Sequence, residues 1–313
     1  MQRQVWRGTF LLAGSATAYS SAGLFTRMVA TDSWTMLFWR GIFAGLFLAA
    51  LVLWRERGRV REAILDVGVT GLLVAASSAI ATVFFLNAFR QTSVADVLVI
   101  DAVVPFVTAG LAWLLIGERV DRITVLASLV ALAGVLVIAQ PAVAQGNLLG
   151  DLLAFGMTVF MALVVVLIRM KRGVSMLPAV CLSAFLCSAM VAPFARPAAV
   201  DLRDLGLLAL FGTTQFGLGL LLLSLGTPLV TATRGVLVGL LQTPLGVLWV
   251  WLMLGEAPAA TTLLGGTIVL IAVAGDIVIP RSARSNDQNR ERRRPAVKWR
   301  AWVPFSSRRA GPI

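Results

Sequence analysis

Trp113-Leu-Leu-Ile-Gly117-Glu118 returns 138 residues later as Trp251-Leu-Met-Leu-Gly255-Glu256. The same offset lays Ser93 on Thr231 and Asp96 on Arg234. A second correspondence starts near the N-terminus, where Gly8-Thr-Phe-Leu-Leu-Ala-Gly14 aligns with Gly150-Asp-Leu-Leu-Ala-Phe-Gly156. Each is followed, 19 residues after its first Gly, by an Arg-Met pair, Arg27-Met28 and Arg169-Met170. Weak internal symmetry of this kind marks a chain built from two copies of one unit.

The residues between the repeated motifs say what the unit is. Of 313 residues, 58% are apolar and 13% charged, none is His, and the mean hydropathy is +0.88. A soluble domain averages roughly 45–50% apolar and about 25% charged, so a soluble enzyme, a disulfide-rich secreted module and a disordered regulator are all excluded. A helix crosses the hydrocarbon in roughly 20 mainly apolar residues. Ten stretches qualify: 8–30, 34–54, 67–90, 93–116, 123–140, 147–169, 176–196, 203–226, 230–254 and 260–280. Short turns such as Asp32-Ser33, Gln91-Thr92 and Ala257-Pro258 separate them and leave no room for a soluble domain. The expected fold is therefore an all-α integral membrane protein of ten transmembrane helices. Its first repeat is 1–140, its second 141–280, and a basic tail fills 281–313.

Lys and Arg in short loops stay on the cytoplasmic side. With the N-terminus inside, the inner segments hold 21 of the 27 basic residues, ten of them in the tail, and the outer ones hold only Arg27, Arg90, Arg196 and Arg203. Both termini are thus expected in the cytoplasm of a cell whose inner membrane the chain spans many times. The competing reading of Arg3 and Arg7 ahead of an apolar run is a signal peptide, and the copying of that run into the second half argues for its retention. Five is odd, so the second five-helix repeat must be inverted relative to the first. Two halves related by an axis in the membrane plane can rock and open a central site to either side, the architecture of secondary transporters.

The order and duplication of the motifs carry a resemblance. Ala18-Tyr-Ser-Ser-Ala-Gly-Leu-Phe-Thr-Arg27, Phe38-Trp-Arg-Gly41, Thr92-Ser-Val-Ala-Asp96 leading to Pro105, and Trp113 to Arg119 return in part as Thr233-Arg-Gly235, Gln242-Thr-Pro244 and Trp251 to Glu256. Over residues 7 to 280 the chain resembles the ten-helix EamA branch of the drug/metabolite transporter superfamily. The resemblance implies transport of a small metabolite, with amino-acid-like cargo and export favoured, while some members import vitamins or nucleotides. Tyr19 stands where the family often has Trp, and Asp101 is not a general family feature, so no particular cargo is carried over.

Ionised groups at membrane depth cost about 2.5–3.5 kcal/mol on insertion scales and need a reason to be there. Arg40 and Asp101 fall about 9 and 12 Å below the outer ends of their helices at about 1.5 Å per residue. They are expected to face one another, as a fixed pair or as one that substrate or a proton splits. Asp96 is either a coupling or gating residue or a first-turn acid in the spacing Ser93-x-x-Asp96. Arg234 sits at the wrong end of a helix dipole and is expected either to snorkel to phosphate or to bind an anionic group of the substrate. Tyr19, Ser78, Thr82, Asn87, Gln215 and Gln242 are the expected neutral lining of the site. Phe84, Phe85, Trp39, Phe216 and Trp249 are candidates for stacking on cargo. Pro105 and Pro244 lie inside the fourth and ninth stretches, where each should kink its helix and allow rocking. Glycines such as Gly110, Gly134, Gly217, Gly219, Gly239 and Gly265 are expected at close helix contacts. Gly117-Glu118 and Gly255-Glu256 read as helix stops followed by acids for the next helix start.

Cys181 and Cys187 are six apart on one helix, about 120° around its axis, and cannot bond to each other. With no His and no acid cluster in the spans, no metal, cofactor or catalytic group is expected, and no phosphate-binding loop for nucleotide hydrolysis is present. The expected partners are a small-molecule substrate and membrane lipid, and the sequence leaves a homo-oligomer open. The tail, with Arg290 to Arg294 and Lys298-Trp-Arg-Ala-Trp302, is either attracted to anionic lipid or a solvated disordered end. Nucleic acid is disfavoured, since no folded platform accompanies the charge. A static channel or scaffold is the reading that competes with a carrier.

Overall fold

With no water to bond to in a bilayer core, a chain of this composition must satisfy its backbone within helices. The computed structural model describes residues 2–56, 59–92, 94–139, 147–255 and 258–278, and every regular element among them is helical. In order these are α1 (Gln2–Ser20), α2 (Ala22–Met28), α3 (Ser33–Arg55), α4 (Val60–Gln91), α5 (Val94–Asp101), α6 (Val104–Ile116) and α7 (Arg122–Ala139). The second half gives α8 (Leu148–Met170), α9 (Leu177–Val191), α10 (Leu202–Leu210), a π-helical stretch (Phe211–Gly217), α11 (Leu218–Gly226), α12 (Ala232–Gly239), α13 (Gln242–Leu254) and α14 (Ala260–Val278). They belong to one compact unit, Met1–Ile277. The tail expected over 281–313 lies outside the described residues.

Nine stretches among the described residues are long and apolar enough to cross a membrane, from Ser33–Arg55 to Ala260–Val278. They match nine of the ten expected; the first, richer in small polar residues, is not among them, and it is also divided. The hydroxyls of Ser20 and Ser21 turn back to donate to the carbonyls of Thr17 and Ala18, at 2.6 and 2.7 Å. Such bonds compete with the helical ladder, and the run divides into α1 and α2 at Ser21. A further difference is the start of α4, seven residues earlier than expected. Gly68, at φ 52° and ψ −152°, makes a bend there that side-chain-bearing residues rarely adopt. It separates a short first segment, on which Ile64 and Leu65 are exposed beside Arg61, Glu62 and Asp66, from the apolar remainder.

The fourth and ninth stretches are broken rather than merely kinked. The breaks fall at 102–103 and 240–241, again 138 residues apart, and so do the left-handed helix ends Gly117 (φ 67°) and Gly255 (φ 69°). Pro105 and Pro244, expected in helix interiors, instead occupy the first turns of α6 and α13. A missing N–H is harmless there, because the first turn has no intrahelical acceptor for it. The repeat read from sequence is thus repeated in backbone geometry.

Helix contacts obey the same symmetry. α1 packs on α11 and on α12 and α13, while its counterpart α8 packs on α4 and on α5 and α6. α3 lies against the π-helical stretch as α9 lies against α4, and α3 meets its own counterpart α9. Exchanging the halves maps this set onto itself, so the two repeats are intertwined. Close approach depends on small residues, as expected where lipid offers no hydrophobic drive between helices. A Cβ on Gly134 would lie 2.8 Å from the Gly265 carbonyl, and one on Gly41 would collide with Ser188 and the Ala184 carbonyl. Gly110 and Gly239 depart from the expectation, with nothing within 4 Å of an added Cβ. Large apolar side chains face outward, among them Trp54, Val69, Leu114, Leu252 and Ile271.

Candidate functional site

The polar residues of the interior gather around Arg40 on α3. Its guanidinium lies 4.3 Å from the ring centroid of Phe216 and 5.5 Å from that of Phe211, two residues of the π-helical stretch. Cys187 of α9 and Tyr19 of α1 are the groups that act on it electrostatically, and Cys187 also interacts with Thr82 of α4. Gln215, from the same π-helical stretch, donates through Nε2 to the Tyr19 carbonyl at 3.4 Å. The Tyr19 ring fills the space that a side chain on Gly219 would need. Three buried atoms of this cluster have no hydrogen-bond partner: Arg40 Nε, Tyr19 Oη and Gln215 Oε1. Arg40 and Gln215 are only 6% and 4% exposed. The cluster draws on α1, α3 and α4 of the first half and on α9 and the π-helical stretch of the second.

The local backbone explains how these groups meet. A π-helical turn carries an extra residue and re-aims the side chains it bears, and such turns recur at functional sites. Here it turns Phe211, Gln215 and Phe216 toward α3 and α1, and Gly212 permits contact with the Arg40 carbonyl, 2.7 Å from where its Cβ would be. Ser15 crosses between the halves nearby, its hydroxyl donating to the Gly219 carbonyl at 2.8 Å.

Other expectations are redirected. Arg40 and Asp101 do not pair. Asp101 closes α5 at the helix break, half-buried, while Arg40 faces aromatic rings. Arg234 neither snorkels nor waits for an anion, because Asp276 of α14 holds it through Oδ2 at 3.0 Å, with both side chains buried. Arg234 also donates to the Asp276 carbonyl at 3.3 Å, and Thr124 of α7 donates to Asp276 Oδ1 at 2.8 Å. Glu118 does not serve α7, the helix that follows it. It accepts from the first amide of α12, Ala232, at 2.8 Å and pairs with Arg169 of α8 at 3.1 Å. Its counterpart Glu256 and the capping position Ser93 lie outside the described residues. Asp96, in the first turn of α5, shares the Thr92 hydroxyl with Asp151 of α8, at 3.2 and 2.8 Å.

Of the remaining expected lining, Thr82 and Asn87 donate to carbonyls of their own helix, Ser78 and Val83. Ser78 is buried and Gln242 part-exposed at the start of α13. Phe84 meets Phe160 edge-on at 5.7 Å, Trp39 stacks on Phe43, and the Trp249 indole donates to Ser20 at 2.9 Å. Both cysteines are free, and no group able to hold a metal occurs among the described residues. Asp276 and Thr124 had not been singled out. The signal for Asp276 was present, an acid inside the last apolar stretch.

A doubled helical unit with matching breaks and a buried polar cluster between the copies matches a known family. The profile described as the EamA-like transporter family covers residues 6–140 and again 148–275. The chain belongs to the EamA-like transporter family. It is therefore a multi-pass membrane protein of the drug/metabolite transporter type, and the family is one of transporters rather than enzymes. Among 29 matching solved chains, one titled only "Crystal structure of protein" superimposes with a TM-score of 0.73 at 18% identity, covering 86% of this chain and 96% of its own, a likeness of fold. No curated protein matched this EamA-like transporter.

Proposed function

We propose that the chain is a secondary transporter of the cytoplasmic membrane, with ten spans, an inverted second half and both termini inside. It moves a small, amino-acid-like metabolite outward by alternating access. The observation that carries this reading is the pair of helix breaks at 102–103 and 240–241, one in each copy, flanking helices that pack across the halves. A hinge in equivalent elements of two intertwined copies lets one end open as the other closes. The tenth span is supplied by α1 and α2 together, whose polar interior side suits a helix lining a site rather than lipid.

Tyr19, Arg40, Thr82 and Gln215 form the solute site in this reading, and Asp101, at the end of α5, is the candidate for coupling to a proton. Arg234 is assigned a structural role, since Asp276 neutralises it. The test is counterflow in proteoliposomes of the purified protein. Saturable exchange accelerated by solute preloaded on the far side is expected of a carrier. Linear, non-saturating flux would indicate a channel, and no flux with any small metabolite would indicate a scaffold. Asp101→Asn should abolish the pH dependence of transport; an unchanged pH profile removes it from coupling.

A further inference from the structure

Two arginines are buried among the described residues, Arg40 and Arg234. Arg234 has its carboxylate, Asp276, 3.0 Å away. Among the described residues Arg40 has none: the polar groups that act on it are the neutral Tyr19 and Cys187, the latter also through a hydrogen bond, and Nε lacks an acceptor. A buried cation without a counter-ion is expensive. The two phenyl rings recover part of that cost through the face of the guanidinium, but rings offer no acceptor to the N–H groups at its edge. In the same cluster, Tyr19 Oη and Gln215 Oε1 are also buried without a hydrogen-bond partner. Three unmet polar groups drawn from both halves describe a site whose partner is not part of the chain.

We infer that Arg40 anchors a carboxylate on the transported solute, an inference that rests on the carrier reading above. A guanidinium presents a planar fork that matches a carboxylate in two parallel hydrogen bonds. One cation with neutral neighbours balances a single negative charge, whereas a phosphate dianion would leave charge uncompensated in a dry site. Phe211 and Phe216 wall the anchor with apolar surface, so the solute carries its charge at one end and an uncharged body beside it. This also moves the anion-recognising role from Arg234, where the sequence suggested it, to a residue whose neighbours come from both halves.

The test uses the full-length purified protein and matched pairs of acid and amide: acetate and acetamide, benzoate and benzamide, L-leucine and L-leucinamide, L-phenylalanine and L-phenylalaninamide. A ligand that binds only the folded form raises the melting temperature. At least one acid should raise it where its amide does not. That acid's affinity should fall about 10- to 100-fold in Arg40→Gln, the range expected for lost hydrogen bonds to a charged group, with partial retention in Arg40→Lys. Equal stabilisation by acids and amides, no stabilisation by any acid, or unchanged affinity in Arg40→Gln would overturn the inference. The wild-type contrast between acid and amide decides the matter even where Arg40→Gln does not fold. Counterflow separates this from the carrier reading. An acid that binds through Arg40 but never exchanges across the bilayer overturns transport alone, and saturable exchange of uncharged solutes indifferent to Arg40→Gln overturns the anchor alone.

Discussion

Asp32 shows how much one exposed side chain does at a helix end. Its carboxylate accepts from the amides of Trp34 and Thr35 at 3.0 and 3.1 Å and from the Thr35 hydroxyl at 2.6 Å, capping α3. Partial burial works to raise its pKa, but the Thr35 and Trp34 hydrogen bonds and the Arg196 charge outweigh it and hold the carboxyl below its ordinary value. A carboxylate depressed in the folded state stabilises fully above the unfolded value, about 3.9, and loses that contribution as pH falls through the folded one. Asp32→Ala should cost about 0.5–2 kcal/mol, with the gap in melting temperature between wild type and variant narrowing as pH falls below the ordinary carboxylate range. The buried ion pair is the costlier residue-level test. Asp276→Asn strands a buried cation and should destabilise by about 3–5 kcal/mol. Adding Arg234→Met should recover most of the lost melting temperature; no recovery would mean that Asp276 matters through Thr124 instead.

Helices differ in how openly their sequences announce them. The nine apolar stretches were readable because hydrocarbon length sets one threshold for all of them. The α1–α2 division was not, because it depends on where two serine hydroxyls point. The cluster was half readable: Tyr19, Thr82, Gln215 and Arg40 were singled out as polar groups in apolar runs. That Arg40 meets rings while Arg234 takes the acid follows from helix packing, which no spacing along the chain encodes. Glu118 teaches the same lesson, since its Gly-Glu motif suggested a local role and its partners are 51 and 114 residues away. It ties the end of α6 to α8 and to the start of α12, joining the two halves. Glu118→Gln keeps an acceptor for the Ala232 amide and loses the charge facing Arg169, so it should lower the melting temperature less than Glu118→Ala. Equal losses would indicate that the Ala232 cap contributes nothing.

The doubled unit governs the whole molecule. The helix breaks, the left-handed ends at Gly117 and Gly255 and the cross-packing of α1 with α11 and α4 with α8 all follow from one helical design used twice. A carrier needs the copies to run in opposite directions, so that equivalent positions reach opposite solutions. Asp121 and Ala259 are such positions, 138 residues apart and both exposed. Single cysteines placed there, in a chain with Cys181 and Cys187 replaced by Ala, can be labelled in intact cells with a membrane-impermeant maleimide. Labelling at Ala259→Cys, with Asp121→Cys modified only after the membrane is opened, is the expected result. Both sites reactive from the same side would contradict the inverted repeat and the alternating-access mechanism built on it.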